Sequence, residues 1–305
     1  MKNYLNILFL LILSCSGNKG KVISSDVEET LQHLTKNLDE AEVNDDLDAF
    51  IQYYDENALS MPEYQSTLEG RNEIQSYYSE IFKRQNIKEY QRHAHEFLRL
   101  DKTIVVIGTF KKEFTDSKND STVTLMGQYW NVWAEKDDTF ILKGEAYGYF
   151  HPVEHPEALV IPGSDQPDEA DILLKKEIPF ELKAYNALME KGVRKRDPIV
   201  RSGFFTEDGS FKPFADTTVT GMDKIKPYLI AYSSRGTVTI NSVMCYTLDF
   251  EYSGEYVLEY DMFKVKWTNA NGPGRTEGKG IRIWKRQADH SLRLYREIGT
   301  HNHLK

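Results

Sequence analysis

Two histidines in one β-prone run are the side chains of this chain best suited to proton transfer. His93 and His95 are two residues apart, so in a strand both would project from the same face, together with Phe97. On the concave face of a sheet they could accept protons or bind a metal. On the convex face they would be an ordinary solvated or hydrogen-bonded pair. The pattern leaves both alternatives open.

A pair of glutamates offers a second route to the same chemistry. Glu145 and Glu297 occupy corresponding places on the last predicted strand of each half of the chain. Burial removes the hydrating water from a carboxylate and raises its pKa, so the group can act as a general base. The alternative is a glutamate in a surface salt bridge, because glutamate is rarely buried without a partner. The candidate catalytic residues are His93, His95 and Glu145, with Tyr54 or Tyr129 as the hydrogen-bond donor.

The two glutamates correspond because the chain contains one unit twice. A shift of 151 residues aligns Gly70 with Gly221 and Trp133 with Trp284, and after one inserted residue the shift becomes 152 for the last strand. Glycines and tryptophans kept in register mark shared turns and core anchors, so they indicate a common backbone path. The length of 305 residues suits two domains of this kind.

Each half begins with helical periodicity and continues with long alternating runs, which predicts the α+β class. Turn-rich segments such as 116–120 and 136–138 separate the predicted strands of the first half. We predict a first domain over residues 26–152, a linker with prolines and acidic residues over 153–175, and a second domain over 176–305.

The N-terminus predicts export and lipidation. Residues 1–14 have one charged residue and an apolar run too short to span a bilayer, which is typical of a signal peptide. The segment from Ile12 to Cys15 resembles a bacterial lipobox, which implies acylation of Cys15 and a tether over residues 15–25. An ordinary signal peptide with an incidental cysteine is the alternative. The expected location is extracytoplasmic, with a lipid anchor in a bacterial membrane, facing the periplasm or the cell surface.

Charge and cysteine content narrow the classes of partner. The formal net charge of −9 argues against nucleic acid, because that affinity depends on phosphate neutralisation by lysine and arginine. Cys245 lies in an apolar, strand-like setting, which predicts a buried, inert thiol rather than a nucleophile. The spacing of histidines near the ends of the strands gives no rigid set of ligands, so we expect no metal and no cofactor.

Short motifs in both halves resemble the SnoaL-like branch of the nuclear transport factor 2-like superfamily. In the first half they are Leu47-x-x-Phe50-x-x-x-Tyr54, Met61-Pro62, Glu69-Gly70-Arg71 and Asn131-Val132-Trp133. In the second half they are Phe204-Phe205, Thr220-Gly221-Met222 and Arg282-Ile283-Trp284. The resemblance covers nearly all of the chain beyond the tether and linker. It implies two tandem cone-shaped domains, each with N-terminal helices packed on a curved antiparallel sheet.

The resemblance also implies a pocket between the helices and the concave sheet face. SnoaL-like cyclases typically carry an acid/base aspartate two residues before the aromatic of the penultimate strand. Here Asn131 and Arg282 stand at that position, and neither can shuttle a proton as a carboxylate does, which argues against cyclase chemistry. The residues predicted to line a pocket, with the first copy favoured, are Tyr54, Met61, Phe97, Tyr129, Trp133, Trp284 and Glu297.

Three roles remain compatible with the sequence. The favoured one is binding of a small, largely apolar molecule, because the many aromatic residues suit a flat apolar ligand. The second is proton transfer of the isomerase, cyclase or dehydratase kind. The third is a non-catalytic interaction module in which the two domains pair with each other. Fold alone cannot choose among them.

Overall fold

The computed structural model describes residues 23–118, 120–161 and 177–303. The first half contains three helices and six strands, and the second half repeats them in the same order. The elements of the first half are α1 (Ser25–Val43), α2 (Leu47–Ile51), β1 (Tyr54–Pro62), β2 (Leu68–Glu69), α3 (Arg71–Arg84), β3 (Gln85–Leu100), β4 (Thr103–Asp116), β5 (Thr122–Lys136) and β6 (Thr139–Tyr149). Those of the second are α4 (Phe180–Arg194), α5 (Pro198–Ser202), β7 (Phe205–Lys212), β8 (Val219–Thr220), α6 (Met222–Ser233), β9 (Thr239–Ser253), β10 (Tyr256–Asn269), β11 (Gly272–Arg286) and β12 (Leu292–His301).

Each half forms one six-stranded sheet, and the two sheets have the same strand order. The order is β2-β1-β6-β5-β4-β3 in the first half and β8-β7-β12-β11-β10-β9 in the second. The long strands form an antiparallel meander, but β1 pairs with β6, and β7 with β12, in parallel. The sheets are therefore mixed rather than wholly antiparallel. The predicted α+β class with two tandem cone-shaped domains is confirmed.

Local signals that begin the helices recur in both copies. Asp46 accepts a hydrogen bond from Ala49 N at the start of α2, and Asp197 accepts one from Val200 N at the start of α5. Such N-caps satisfy backbone donors that have no partner within the helix. Gly70 and Gly221 precede α3 and α6 with φ of 85° and 87°, a region that favours glycine. The duplicated landmarks thus mark the same turns in both domains.

Both faces of each sheet are buried, and the alternation of side chains along β5 shows how. Tyr129 and Trp133 point into the first domain's own core beneath its helices. Trp130 and Val132 point the other way and join a second apolar cluster that includes residues of the opposite sheet. Because successive side chains in a strand face opposite sides, one strand can serve two cores. This explains the nearly continuous apolar runs in β5.

The two sheets pack against each other and form an apolar layer between the domains. Each domain also keeps a separate core of its own under its helices. The two copies therefore remain distinct domains that share an interface rather than one merged core. The buried residues of the interface are Leu59, Met61, Leu100, Val105, Ile107, Trp130, Val132 and Ala146 from the first domain, with Leu248, Leu258, Tyr260, Met262, Ile281, Ile283 and Ile298 from the second.

A buried ion pair and backbone hydrogen bonds close one edge of this interface. Lys212 Nζ lies 3.1 Å from Glu63 Oε2 and donates to Tyr149 O at 2.7 Å, and both charged side chains are fully buried. Burial raises the pKa of Glu63 and lowers that of Lys212, although each charge opposes the shift of the other. Tyr64 N donates to His301 O at 2.7 Å, so the backbones of the two domains also meet.

The first part of the predicted linker is packed on the first domain. A short 3-10 helix, Pro156–Leu159, lies within residues 153–175, where the composition had predicted no element. Leu159 is buried in the first core, and its carbonyl accepts a hydrogen bond from Tyr77 Oη at 3.2 Å. The predicted signal peptide and lipidated cysteine lie outside the described residues. Within the described part of the chain, none of the helices combines the length and hydropathy needed to cross a bilayer.

Replacing Glu63 by leucine should destabilise the protein through the unpaired charge that it leaves behind. The Lys212 ammonium would remain buried between the domains without its carboxylate. Removing one member of a buried ion pair costs about 3–5 kcal/mol, so we expect the free energy of unfolding to fall by that amount. Urea denaturation monitored by tryptophan fluorescence measures the change.

The double variant Glu63→Leu/Lys212→Met removes both charges and should recover part of that loss. As a control, Glu80→Ala breaks the exposed Glu80–Lys83 pair and should leave the free energy of unfolding nearly unchanged. A double variant no more stable than Glu63→Leu would contradict the assignment.

Candidate functional site

A large cavity lies in the second domain, between its helices and the concave face of its sheet. Its volume is about 570 Å³, within the range of small-molecule sites. Aromatic and aliphatic side chains form most of its wall. Those that line it include Met189, Val193, Phe205, Phe211, Phe214, Tyr228, Leu229, Val243, Phe263, Val265 and Trp267.

One tyrosine-to-glycine difference between the copies accounts for much of this space. Gly299 lines the cavity, and a Cβ placed on it would meet no atom within 4 Å. The equivalent residue of the first domain is Tyr147. Tyr147 lies five residues after Leu142, which pairs with Trp133, and Gly299 lies five residues after Leu294, which pairs with Trp284. The Tyr147 ring occupies the first cone, where a space of only about 20 Å³ remains beside it. The two copies therefore have the same element order but differ in how far side chains fill the cone.

Two further differences remove charge from the second cone. Arg92 pairs with Phe110, and at the same register Cys245 pairs with Phe263. Two residues further along β4, Lys112 is likewise replaced by Val265 of β10. The second domain thus has Cys245 and Val265 where the first domain has two long cationic side chains, and both of these smaller residues line the cavity.

In the first cone, Arg92 and Lys112 belong to a buried charge network. Arg92 lies 3.3 Å from Asp39 and 3.7 Å from Glu42, and Lys112 Nζ lies 2.7 Å from Glu42. The Arg92 guanidinium also lies over the Tyr90 ring, 4.6 Å from its centroid. Desolvation raises the pKa of Asp39 to about 7, against the opposing effect of Arg92. These groups bind one another, and Asp39, Tyr90 and Arg92 also line an open groove beside α1.

Glu145 is buried in the first domain and hydrogen-bonded on one oxygen. Ser60 Oγ donates to Glu145 Oε1 at 2.6 Å, and Tyr78 Oη donates to the same oxygen at 3.2 Å. Burial raises the pKa of Glu145, while Arg92 and the Ser60 hydrogen bond oppose the rise. Among the described residues, Glu145 belongs neither to the wall of the second-domain cavity nor to those of the two first-domain cavities. Only 1% of Glu145 is exposed, so its carboxylate is closed off from solvent in this structure.

His93 and His95 lie at the surface and do not act on one site. His93 lines an open groove of about 410 Å³ between α1 and β3, together with Asp39, Arg92 and other polar residues. His95 Nε2 contacts Thr109 Oγ1 at 2.8 Å and does not line this groove. The reason is a bulge in β3 between Ala94 and Glu96, which interrupts the regular alternation that the spacing of two assumes.

The residues predicted to line a pocket are dispersed. Met61 lies in the interface between the sheets rather than in a cone. Tyr54 and Trp133 are buried in the first core, Phe97 packs against that core, and Tyr129 lines the groove beside α1. Trp284 is buried in the second core. Glu297 alone of this set lines the large cavity, which lies in the second copy, whereas the sequence favours a pocket in the first.

A buried charge cluster forms the floor of the cavity. Arg282 Nη2 lies 2.9 Å from Asp261 Oδ2, and Arg282 Nε lies 2.9 Å from Glu297 Oε1. Glu259 is 3.8 Å from the same guanidinium and accepts a hydrogen bond from Trp284 Nε1 at 2.7 Å. Burial raises the pKa of Asp261, and Arg282 opposes the rise. Arg282 is therefore held by three carboxylates.

The cavity wall also contains polar residues outside the predicted set, among them His301 and Lys212. His301 stacks on Phe214 with ring centroids 4.2 Å apart, and burial, with Lys279 and Lys212 nearby, lowers the pKa of His301 to about 3. The imidazole is therefore neutral where it lines the cavity. Lys212 lines the same end. The duplication pattern could have identified His301, because it replaces Tyr149 at the shift that aligns the last strands.

Comparison with known proteins gives similarities of fold only. No protein-family model matches the chain, and no curated protein matches it. Among solved structures, a ketosteroid isomerase-like protein from Erwinia carotovora atroseptica shares 11% identity over 43% of this chain and 100% of its own, with a TM-score of 0.39. A nuclear transport factor 2-like protein from Cytophaga hutchinsonii shares 13% over 42% and 100%, with a TM-score of 0.36. One from Shewanella oneidensis shares 20% over 39% and 97%, with a TM-score of 0.32.

Each of these matches spans about the length of one domain of this chain. Their identities and TM-scores are too low to carry ligand or activity across. The element order and the two six-stranded sheets are those of two tandem nuclear transport factor 2-like domains, as the sequence motifs predict.

The thiol of Cys245 should react slowly in the folded protein. Burial raises its pKa to about 12, so the reactive thiolate is scarce at pH 8. Relative to an ordinary thiol with a pKa of about 9, we expect labelling by a maleimide to be slower by roughly a thousandfold. The measurement uses a Cys15→Ser background and compares native protein with protein in guanidinium. Rates within tenfold of each other would contradict a raised pKa for the Cys245 thiol.

Proposed function

We propose that this protein binds a small, largely apolar molecule in the cavity of its second domain. The observation that carries the proposal is the open volume of about 570 Å³ at Gly299, where the first copy holds Tyr147. A cavity of this size with mostly apolar walls and a few polar groups is typical of ligand sites. The first domain, whose cone contains the Tyr147 ring, would stabilise the second domain by packing against its sheet.

The charge geometry favours binding over proton transfer. Glu297 is the one predicted carboxylate that reaches the cavity, but its Oε1 is held by Arg282 at 2.9 Å. This oxygen already accepts a charge-assisted hydrogen bond, so it is not free to contact a proton of a bound molecule. Glu145, whose burial would suit a base, does not line the cavity. Isomerase-type chemistry is therefore the weaker of the two functions that this fold suggests.

Refilling the cavity should abolish binding. Gly299→Tyr places in the second cone the side chain that occupies the first, and the backbone φ of Gly299 does not require glycine. We expect the small molecule that copurifies with the wild-type chain to be lost from the variant, as measured by native mass spectrometry of the intact protein. Extraction and mass spectrometry of that molecule would also identify its class.

Thr239→Tyr is the matched control, because it adds the same side chain at an exposed position that does not line the cavity. It should retain the ligand. Equal occupancy in Gly299→Tyr and wild-type protein would contradict the assignment of the site.

We also propose that the chain is an extracytoplasmic lipoprotein anchored through Cys15. The support is the charged start, the apolar run and the lipobox-like Ile12-Leu13-Ser14-Cys15. Cys15→Ala should abolish incorporation of a labelled fatty acid and move the protein from the detergent phase to the aqueous phase in a detergent-partition assay. Cys245→Ala is the control and should change neither. Fatty-acid labelling that persists in Cys15→Ala would contradict the proposal.

A further inference from the structure

We infer that the ligand of the second domain is an organic anion whose acidic group sits at the mouth of the cavity and whose apolar body fills the interior. This inference rests on the proposed binding function and specifies the ligand class. It comes from the charges around the cavity, which are not balanced. Five lysine or arginine side chains line it but only one carboxylate does, in a chain whose net charge is −9.

Two of the five cations are neutralised by partners inside the protein. Lys212 is paired with Glu63 of the first domain. Arg282 lies within 4 Å of three carboxylates, those of Glu259, Asp261 and Glu297. The deep end of the cavity therefore offers no uncompensated positive charge to a ligand.

The other three cations lie together at the mouth. In the part of the chain that the structure describes, Arg196, Arg201 and Arg235 form no salt bridge with a carboxylate, whereas Arg282 and Lys212 do. The guanidinium groups of Arg201 and Arg235 both lie over the Tyr232 ring, at 5.7 and 5.5 Å from its centroid. Arg196 Nη2 donates to Arg235 O at 2.7 Å, which ties the third arginine to the same cluster.

This arrangement suits an anion held at the rim of an apolar cavity. Arginine binds carboxylate, sulfonate or phosphate oxygens in pairs, and a positive cleft with low-dielectric walls concentrates anions. The hydrogen bonds of Arg196 to the carbonyls of Gly236 and Val238 hold the loop before β9 in place, so part of the cluster is already oriented. The carboxylates around Arg282 would repel a ligand that entered the cavity with its acidic group foremost. The acidic group therefore stays at the mouth.

A pair of fluorescent probes that differ by one charge tests the inference. 8-Anilinonaphthalene-1-sulfonate carries a sulfonate on the ring system of neutral N-phenyl-1-naphthylamine. Titrated into the purified full chain, the sulfonate should bind with a Kd at least about tenfold lower than that of the neutral probe. Raising the salt concentration should weaken the sulfonate alone, because it screens charge but not apolar contact.

Removing the mouth charges should remove only this preference. In Arg201→Gln/Arg235→Gln, the Kd for the sulfonate should rise by about tenfold while the Kd for the neutral probe stays the same. Lys88→Gln/Lys118→Gln is the matched control, since it deletes two lysines of the first domain, and it should change neither value. If the two probes bind wild-type protein equally and the arginine variant shifts neither, the inference is overturned.

The Gly299→Tyr variant separates this inference from the proposed function. If Gly299→Tyr leaves the binding of both probes unchanged, the cavity is not the binding site, and both proposals fail. If it abolishes both while the arginine variant shows no selective loss, the binding site stands and only the anionic class is wrong.

Two competitors distinguish the source of such an anion. Free decanoate displaces the bound sulfonate probe if the site takes soluble acids. Phosphatidylglycerol vesicles, compared with phosphatidylcholine vesicles, displace it if the site takes the anion from a lipid surface. Displacement by either supports the inference, and failure of both overturns it.

Discussion

The structure depends on the fact that each sheet has two apolar faces to bury. A domain of this kind covers one face with its own helices, and the other face would remain exposed to water. Here the second copy covers it, so Trp130 and Val132 of one sheet lie in the same layer as Ile281 and Ile283 of the other. Burial of apolar surface is the main favourable term in such packing, at roughly 25 cal/mol per Å². The pairing of the two domains is therefore part of the fold of each.

That outer layer leaves the inner cores free to diverge. The first core is occupied by Tyr147 and by the network of Arg92, Asp39 and Glu42. At corresponding positions the second has Gly299 and Cys245, and a cavity opens. The interface connects to this cavity at one edge, where Lys212 lines the cavity and pairs with Glu63 across the domain boundary. The inner end of the site is thus built partly on the first domain.

Sequence was a good guide to the frame and a poor one to the site. Caps and turn glycines such as Asp46 and Gly70 act over a few residues, so their pattern predicted the element order in both copies. The site depends on which of two sheet faces a side chain occupies, and that is decided by tertiary packing. The sequence predicts a pocket position for Met61 because nothing in its own strand reveals that the sheet of the second domain packs against it. The spacing of His93 and His95 predicts a shared face because the bulge at His95, between Ala94 and Glu96, leaves no clear trace in a single sequence.

Joining the two copies in one polypeptide releases them from symmetry. In a homodimer every substitution occurs twice, so a change that blocks one pocket blocks the other as well. In this chain Tyr147 and Gly299 are encoded separately, although they occupy one position of the ancestral unit. A substitution can therefore fill the interior of one copy and leave the interior of the other copy unchanged. Fusion of this kind gives a pseudo-dimer whose two domains can carry different residues at one equivalent position, as Tyr147 and Gly299 show.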